Sequence, residues 1–206
     1  MKHIKSQLLI VLMIFGLFFN FYFLNEIQKM KYEREELIEF TATTQITADF
    51  FRTNYELNMI MTGVCVPDAY CMNNQSKREL LSEMVKDKPL LIFRIDGFYC
   101  RSCYADILTE LQTELSNIFH FDDVSVLCSQ LSERDLSIIK RTYNLNFSAY
   151  IIPAKSFNWT VEERNVPYFF VLHPDMKISH IYIPEKKFPE HYKQYFKEVK
   201  KILDND

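Results

Sequence analysis

One stretch constrains this chain more than any other: Leu90-Leu91-Ile92-Phe93-Arg94-Ile95-Asp96-Gly97-Phe98-Tyr99-Cys100-Arg101-Ser102-Cys103-Tyr104. An apolar run of strand type passes through a glycine-containing turn into two cysteines at C-x-x-C spacing. Residues 105–119 then carry helical periodicity. Strand, thiol pair and helix form the layout that sulfur chemistry needs. The strand fixes the turn, and the helix N-terminus offers free N–H groups and a positive dipole end to the first sulfur. A thiolate is stabilised there, and the thiolate is the species that exchanges disulfides. A bare C-x-x-C also fits half of a zinc site or two small core residues.

Zinc requires a second Cys or His pair at similar spacing. Cys65, Cys71 and Cys128 are scattered and no His pair accompanies them, so no metal site is expected. The net charge of −3 gives no basic stripe, which argues against a nucleic-acid partner. Only three glycines occur, too few for a phosphate-cradling loop, and no organic cofactor is implied. Eighteen Phe and twelve Tyr supply ample core volume.

The N-terminus reads differently. Lys2 and Lys5 precede a run from Leu8 to Leu24 that is apolar apart from Asn20, with no charge until Glu26. Such a run approaches the length needed to span a bilayer. The residues after it lack the small side chains of a signal-peptidase site. Residues 1–25 therefore read as an uncleaved signal anchor, contacting the membrane through residues 8–24, with the basic tip inside. A cleaved signal peptide is the rival. Residues 26–62 read as a helical stalk: charged and polar residues abound without Pro or Gly before Gly63, and no heptad is sustained.

From residue 63 the pattern changes to short strands and turns. Asn73-Asn74-Gln75-Ser76 is a turn signal, and Ser76 is placed to cap a helix carrying Leu80, Leu81, Met84 and Val85. Pro89 closes that helix and launches the central strand. Beyond the C-x-x-C helix come a strand at 124–128, a helix opened by Ser132, a strand at 147–152, and a loop or short helix at 154–165. Residues 166–172 and 178–183 form a hairpin across the turn at 173–177, and a last helix closes the chain. The expected fold is an α/β sheet of mixed strand order.

These features together resemble the thioredoxin-like superfamily, and within it the membrane-anchored TlpA/ResA-type extracytoplasmic thiol-disulfide oxidoreductases of bacteria. The likeness runs over residues 63–206. It rests on Gly63-x-x-x-Pro67-Asp68, on Asn74 and Leu80, on Lys88-Pro89-Leu90-Leu91-Ile92-Phe93, on Cys100-Arg101-Ser102-Cys103 and on Val166-Pro167 before an apolar hairpin. The resemblance implies a central mixed sheet flanked by helices, behind the anchor and stalk. It makes Cys100 the attacking thiol and Cys103 the resolving thiol. It also implies a cis bond at Val166–Pro167, with Val166 and Pro167 binding an extended substrate. Two departures stand out. Tyr99 replaces a Trp before the first cysteine, still as an aromatic shield on the substrate side. Arg94 occupies the position where thioredoxin buries an acid.

Other residues carry smaller expectations. Cys65 and Cys71 can close a second disulfide if 65–71 is a tight loop. Cys128 reads as core, His173 as a turn residue and Trp159 as packing. Arg101, between the two thiols, is expected to lower the pKa of Cys100. The reading is thus a membrane-anchored oxidoreductase facing the periplasm or another extracytoplasmic space, exchanging disulfides with partner proteins. The alternatives are a non-catalytic interaction module of the same fold, or a copper carrier using Cys100, Cys103 and His173.

Overall fold

The computed structural model describes residues 2–73, 75–96, 107–109, 112–113, 115, 117–164, 166–185 and 187–205; the side chains of 2–12, 14 and 205 lie outside that description. Helix α1 (Lys2–Met61) is followed by β1 (Tyr70–Asn73), β2 (Arg78–Leu80), α2 (Leu81–Met84) and β3 (Leu90–Asp96). Helical residues at 107–109, 112–113, 115 and 117–118 come next. Then follow β4 (Val124–Ser129), α3 (Glu133–Thr142), β5 (Ser148–Ile151), α4 (Thr160–Glu163), β6 (Tyr168–Leu172), β7 (Ile178–Tyr182) and α5 (Pro189–Asn205).

The chain divides into two compact units, 1–51 and 52–206. The first is helical from Lys2 onward. Large apolar side chains from Phe15 to Leu24 are exposed on it. Among the described residues no helix is long and apolar enough to cross a membrane. The expected anchor at 8–24 falls partly on side chains outside the description. The expected stalk at 26–62 is helical as far as Met61, and its residues from Arg52 onward belong to the second unit.

The second unit is built on β3, all of whose residues except Asp96 are buried. Its neighbours differ in direction. β4 runs parallel, from Leu91↔Val124 to Asp96↔Ser129, and β6 runs antiparallel, from Leu90↔Leu172 to Arg94↔Tyr168. The full order is β2-β1-β5-β4-β3-β6-β7. A strand buried on both sides reads as a continuous apolar run, which is why 90–95 lacks alternation.

The two faces nevertheless differ. Leu91, Phe93 and Ile95 share one face with Val126, Cys128 and Phe169. There the Phe93 and Phe169 rings stack at 4.3 Å, and Phe169 meets Phe196 of α5 edge-on at 5.3 Å. Leu90, Ile92 and Arg94 share the other face with Leu127, Tyr168 and Phe170, covered by Phe157, Trp159, Val161, Leu57 and Met61. Trp159 packs as expected, 5.3 Å from Phe170.

An open sheet edge exposes unpaired N–H and C=O groups. Along β7 they are satisfied by residues from before the sheet. Gly63 N donates to Ile178 O at 2.7 Å, Ile178 N to Val64 O at 3.0 Å and Val66 N to Met176 O at 2.7 Å. Further along, the Asn54 carboxamide takes the place of a peptide group: its Oδ1 accepts from Ile183 N at 2.7 Å and its Nδ2 donates to Ile183 O at 3.3 Å. Asn58 Nδ2 donates to Ile181 O at 2.7 Å. Gly63, at φ +83, follows the last turn of α1 in the left-handed conformation that ends helices.

Three expectations need correction. Residues after Ser76 form β2 rather than a long helix. Asn73 Oδ1 accepts from Gln75 N and Lys77 N, and this side-chain turn sets the hairpin Tyr70↔Leu80 before a helix can begin. Only Leu81–Met84 is helical there. The Val166–Pro167 bond is trans: no cis peptide bond occurs among the described residues. Trans is the default for an X–Pro bond by about 0.5–1 kcal/mol. Finally, Cys65 and Cys71 are free thiols. Cys65 is exposed and bridges Lys177 beside β7, whereas Cys71 enters the core from β1, with β5, β4, β3 and β6 between those two strands in the sheet.

Candidate active site

In open α/β sheets ligands gather outside the carboxyl ends of parallel strands, where strand order switches direction. Here that place is the end of β3, flanked by the end of parallel β4 and the start of antiparallel β6. In the sequence, Cys100 and Cys103 follow Asp96, the last residue of β3, by four and seven positions. Tyr99, Cys100, Arg101 and Cys103 lie outside the described residues, so the site is built from what surrounds the end of β3.

Asp96 closes β3. Its carboxylate accepts from Ser129 Oγ at 2.8 Å and from Gln130 Nε2 at 2.9 Å. Ser129 is fully buried at the end of β4, and Gln130 follows it in the left-handed region at φ +57. This network ties the end of β3 to the end of β4. Extending the β3–β6 register by two residues places Pro167 opposite Ile95 and Val166 opposite Asp96. Pro167 is buried and Val166 half-buried. Val166 and Pro167 therefore lie beside the end of β3, with a trans bond between them.

Just before the end of β3 lies Arg94, only 3 % exposed. Its Nη2 donates to Glu162 Oε1 of α4 at 3.1 Å, and its Nη1 donates to the carbonyls of Ile95 at 2.9 Å and Leu127 at 3.3 Å. The guanidinium also sits 5.8 Å from the Phe157 ring centroid. Glu162 Oε2 is buried without a hydrogen-bond partner among the described residues. Removing two charges from water costs several kcal/mol per ion, by order of magnitude, before their attraction offsets it. Arg94 was legible as an anomaly in an apolar strand, but no sequence pattern identified Glu162 as its partner.

The described thiols divide clearly. Burial pushes the Cys71 thiol up to about 12, helped by the Asp68 and Glu79 charges and opposed by Arg94. Burial likewise pushes Cys128 up to about 12, with Arg94 opposing and Asp96 adding to the rise. Both stay neutral near pH 7 and are poor nucleophiles. Cys128 is core, as expected. His173, half-buried in the hairpin turn, has Nε2 2.8 Å from Ser179 Oγ. Among the described residues no group of three His, Cys, Asp or Glu side chains is placed to hold a metal ion.

No family model matches the chain, and no curated protein matches it. Solved structures do. A "putative protein disulfide isomerase" from Bacteroides thetaiotaomicron superposes with a TM-score of 0.54 at 12% identity, over 69% of this chain and 90% of that one. A "putative electron transfer protein" from Aquifex aeolicus VF5 superposes with a TM-score of 0.52 at 13% identity, over 66% and 92%. Together with the sheet order, these likenesses establish a thioredoxin-like α/β fold with a mixed sheet.

Proposed function

We propose that this protein is a thiol-disulfide oxidoreductase whose reacting pair is Cys100 and Cys103. What supports the reading is that β3 ends at the directional switch of a thioredoxin-like sheet, and that Cys100 and Cys103 follow its last residue, Asp96, at C-x-x-C spacing in the sequence. In the reducing direction, the Cys100 thiolate attacks one sulfur of a partner disulfide. That S–S bond breaks, the leaving thiolate takes a proton, and a mixed disulfide forms. Cys103 then loses its proton and attacks the Cys100 sulfur, releasing the second partner thiol. The partner gains two electrons and the protein becomes the disulfide. The Arg101 charge favours the Cys100 thiolate.

The partners are protein thiols and disulfides, and Pro167, Val166 and Tyr99 are assigned to bind them. The segment 8–24 anchors the chain in a membrane, with the second unit in an extracytoplasmic, periplasm-like space. Supporting this are Lys2 and Lys5 ahead of the apolar run, and the exposure of Phe15, Leu17, Phe18, Phe19, Phe21 and Phe23 on the helix. A contiguous apolar surface of this kind calls for lipid or a partner to cover it. Alkaline carbonate extraction is expected to leave the full-length chain in the membrane pellet.

The test of the chemistry is a trap. Cys103→Ser removes the resolving thiol, so mixed disulfides on Cys100 accumulate and appear as reducible adducts. Adducts that persist in Cys100→Ser, or none in Cys103→Ser, contradict the assignment.

A further inference from the structure

Beside the exit of β3, on the flank of the sheet opposite β7, lies a groove of about 530 Å³. Its volume falls within the range of ligand-binding clefts. Tyr70 and Met72 of β1, Ile151 of β5, Pro153 and Arg78 of β2 line it, and Gln130 forms the wall nearest β3. The pairings Met72↔Arg78 and Met72↔Ile151 put these side chains on one face of the sheet, while Cys71 alternates into the core. Tyr70 is 65 % exposed.

Two features make this groove more than an irregular surface. Arg78 is the one charged side chain lining it, and it makes no hydrogen bond or ion pair among the described residues. The adjacent Glu79 is engaged by Lys77 at 3.1 Å instead. Gln130, which walls the groove, donates its amide to the Asp96 carboxylate, so the groove abuts the end of β3.

We infer that the groove receives an extended segment of the partner polypeptide, apolar in character and carrying a carboxylate that meets Arg78. An apolar trough with one unpaired cation is complementary to an acidic–apolar peptide and repels a basic one. The inference deepens the proposed function and rests on it for the partner's identity as a thiol protein. Among the described residues, the lining of the groove does not include Val166 or Pro167.

The test uses the full chain in detergent micelles. Three apolar peptides carry one cysteine, capped as a mixed disulfide with a neutral pyridyl thiol, and a flanking Glu, Gln or Lys. Release of the pyridyl thiol is read for each peptide and normalised to the rate with dipyridyl disulfide in the same variant. The Glu peptide is expected to react about two- to fivefold faster than the Lys peptide, the scale of an exposed ion pair. Arg78→Glu should invert the order and Arg78→Gln should flatten it. Fluorescently labelled versions with Ser in place of Cys are read in parallel by anisotropy, with the same inversion expected. No reaction with dipyridyl disulfide, alongside a charge order in anisotropy that inverts with Arg78→Glu, would sink the redox reading and keep the groove. Equal affinities for Glu and Lys peptides, or an order indifferent to Arg78, would overturn the groove. Self-association of the chain that Arg78→Glu abolishes while peptide binding is unaffected would assign the groove to a second copy and overturn it too.

Discussion

The two faces of the central sheet solve the same packing problem with different chemistry. On one, Phe93, Phe169 and Phe196 interlock as an aromatic layer that Tyr182 and Tyr195 extend, with Cys128 buried on the same face. On the other, an equally buried layer holds Arg94 against Glu162, two residues before the end of β3. The first face needs only shape complementarity. The second carries a charge pair that well-packed apolar residues would replace at little cost to stability. The difference is one of chemistry at equal burial: Arg94 lies among the last residues of β3, ahead in the sequence of the cysteines proposed to react. The buried charge in β3 is a cation, and its counter-charge comes from α4.

That contrast can be broken by substitution. Glu162→Ala leaves Arg94 buried without its partner and is expected to cost about 3–5 kcal/mol in denaturant unfolding. The paired change Arg94→Met with Glu162→Leu should recover most of that loss; a double variant as unstable as the single one would show that the pair is structural. Phe169→Ala, on the aromatic face, is expected to cost about 3–5 kcal/mol through the cavity it leaves, with no apolar partner change restoring it. A smaller loss, about 1–3 kcal/mol, is expected for Asn54→Ala, which strips the Ile183 peptide group at the β7 edge of its partner.

The smallest expected effect depends on pH. Burial raises the Asp123 carboxyl, but hydrogen bonds from Lys88 Nζ and His120 N, with the Lys88 and Lys200 charges, outweigh it and hold the pKa below the ordinary value. A folded-state pKa below the unfolded one contributes stability above the unfolded value, near 3.9, and loses it as pH falls through the folded value. Asp123→Asn should therefore melt earlier than wild type at neutral pH, by about 1–2 kcal/mol, with the gap closing in acid. A gap that stays constant across that range would assign the effect to packing alone.

Much of the sheet was legible because its signals are local. The apolar run at 90–95 and the hairpin around 173–177 declare themselves, with Met176 taking a positive φ, +62, in the turn. What failed was decided by partners distant in sequence or by competing turns. Ser76 looked like a helix cap, yet the Asn73 side chain had already set a hairpin. The pairing of Cys65 with Cys71 looked close in sequence, but strand alternation and sheet order part them. Neither the Asn54 and Asn58 contacts to β7 nor the Arg94–Glu162 pair leaves any periodic trace, because each joins segments more than 60 residues apart. The expected cis bond came from resemblance alone, and the backbone takes the trans form.

The central claim, that Cys100 and Cys103 form one two-electron couple, is tested most directly by equilibrating the full chain against glutathione mixtures and alkylating it. Modification at each cysteine is then read by mass. The account predicts that Cys100 and Cys103 become protected together in a single transition at about −120 to −270 mV, the span of thioredoxin-fold couples. Cys71 and Cys128 should remain unmodified throughout, their thiols held neutral by burial. Independent alkylation of Cys100 and Cys103 at every ratio, with no shared transition, would contradict it.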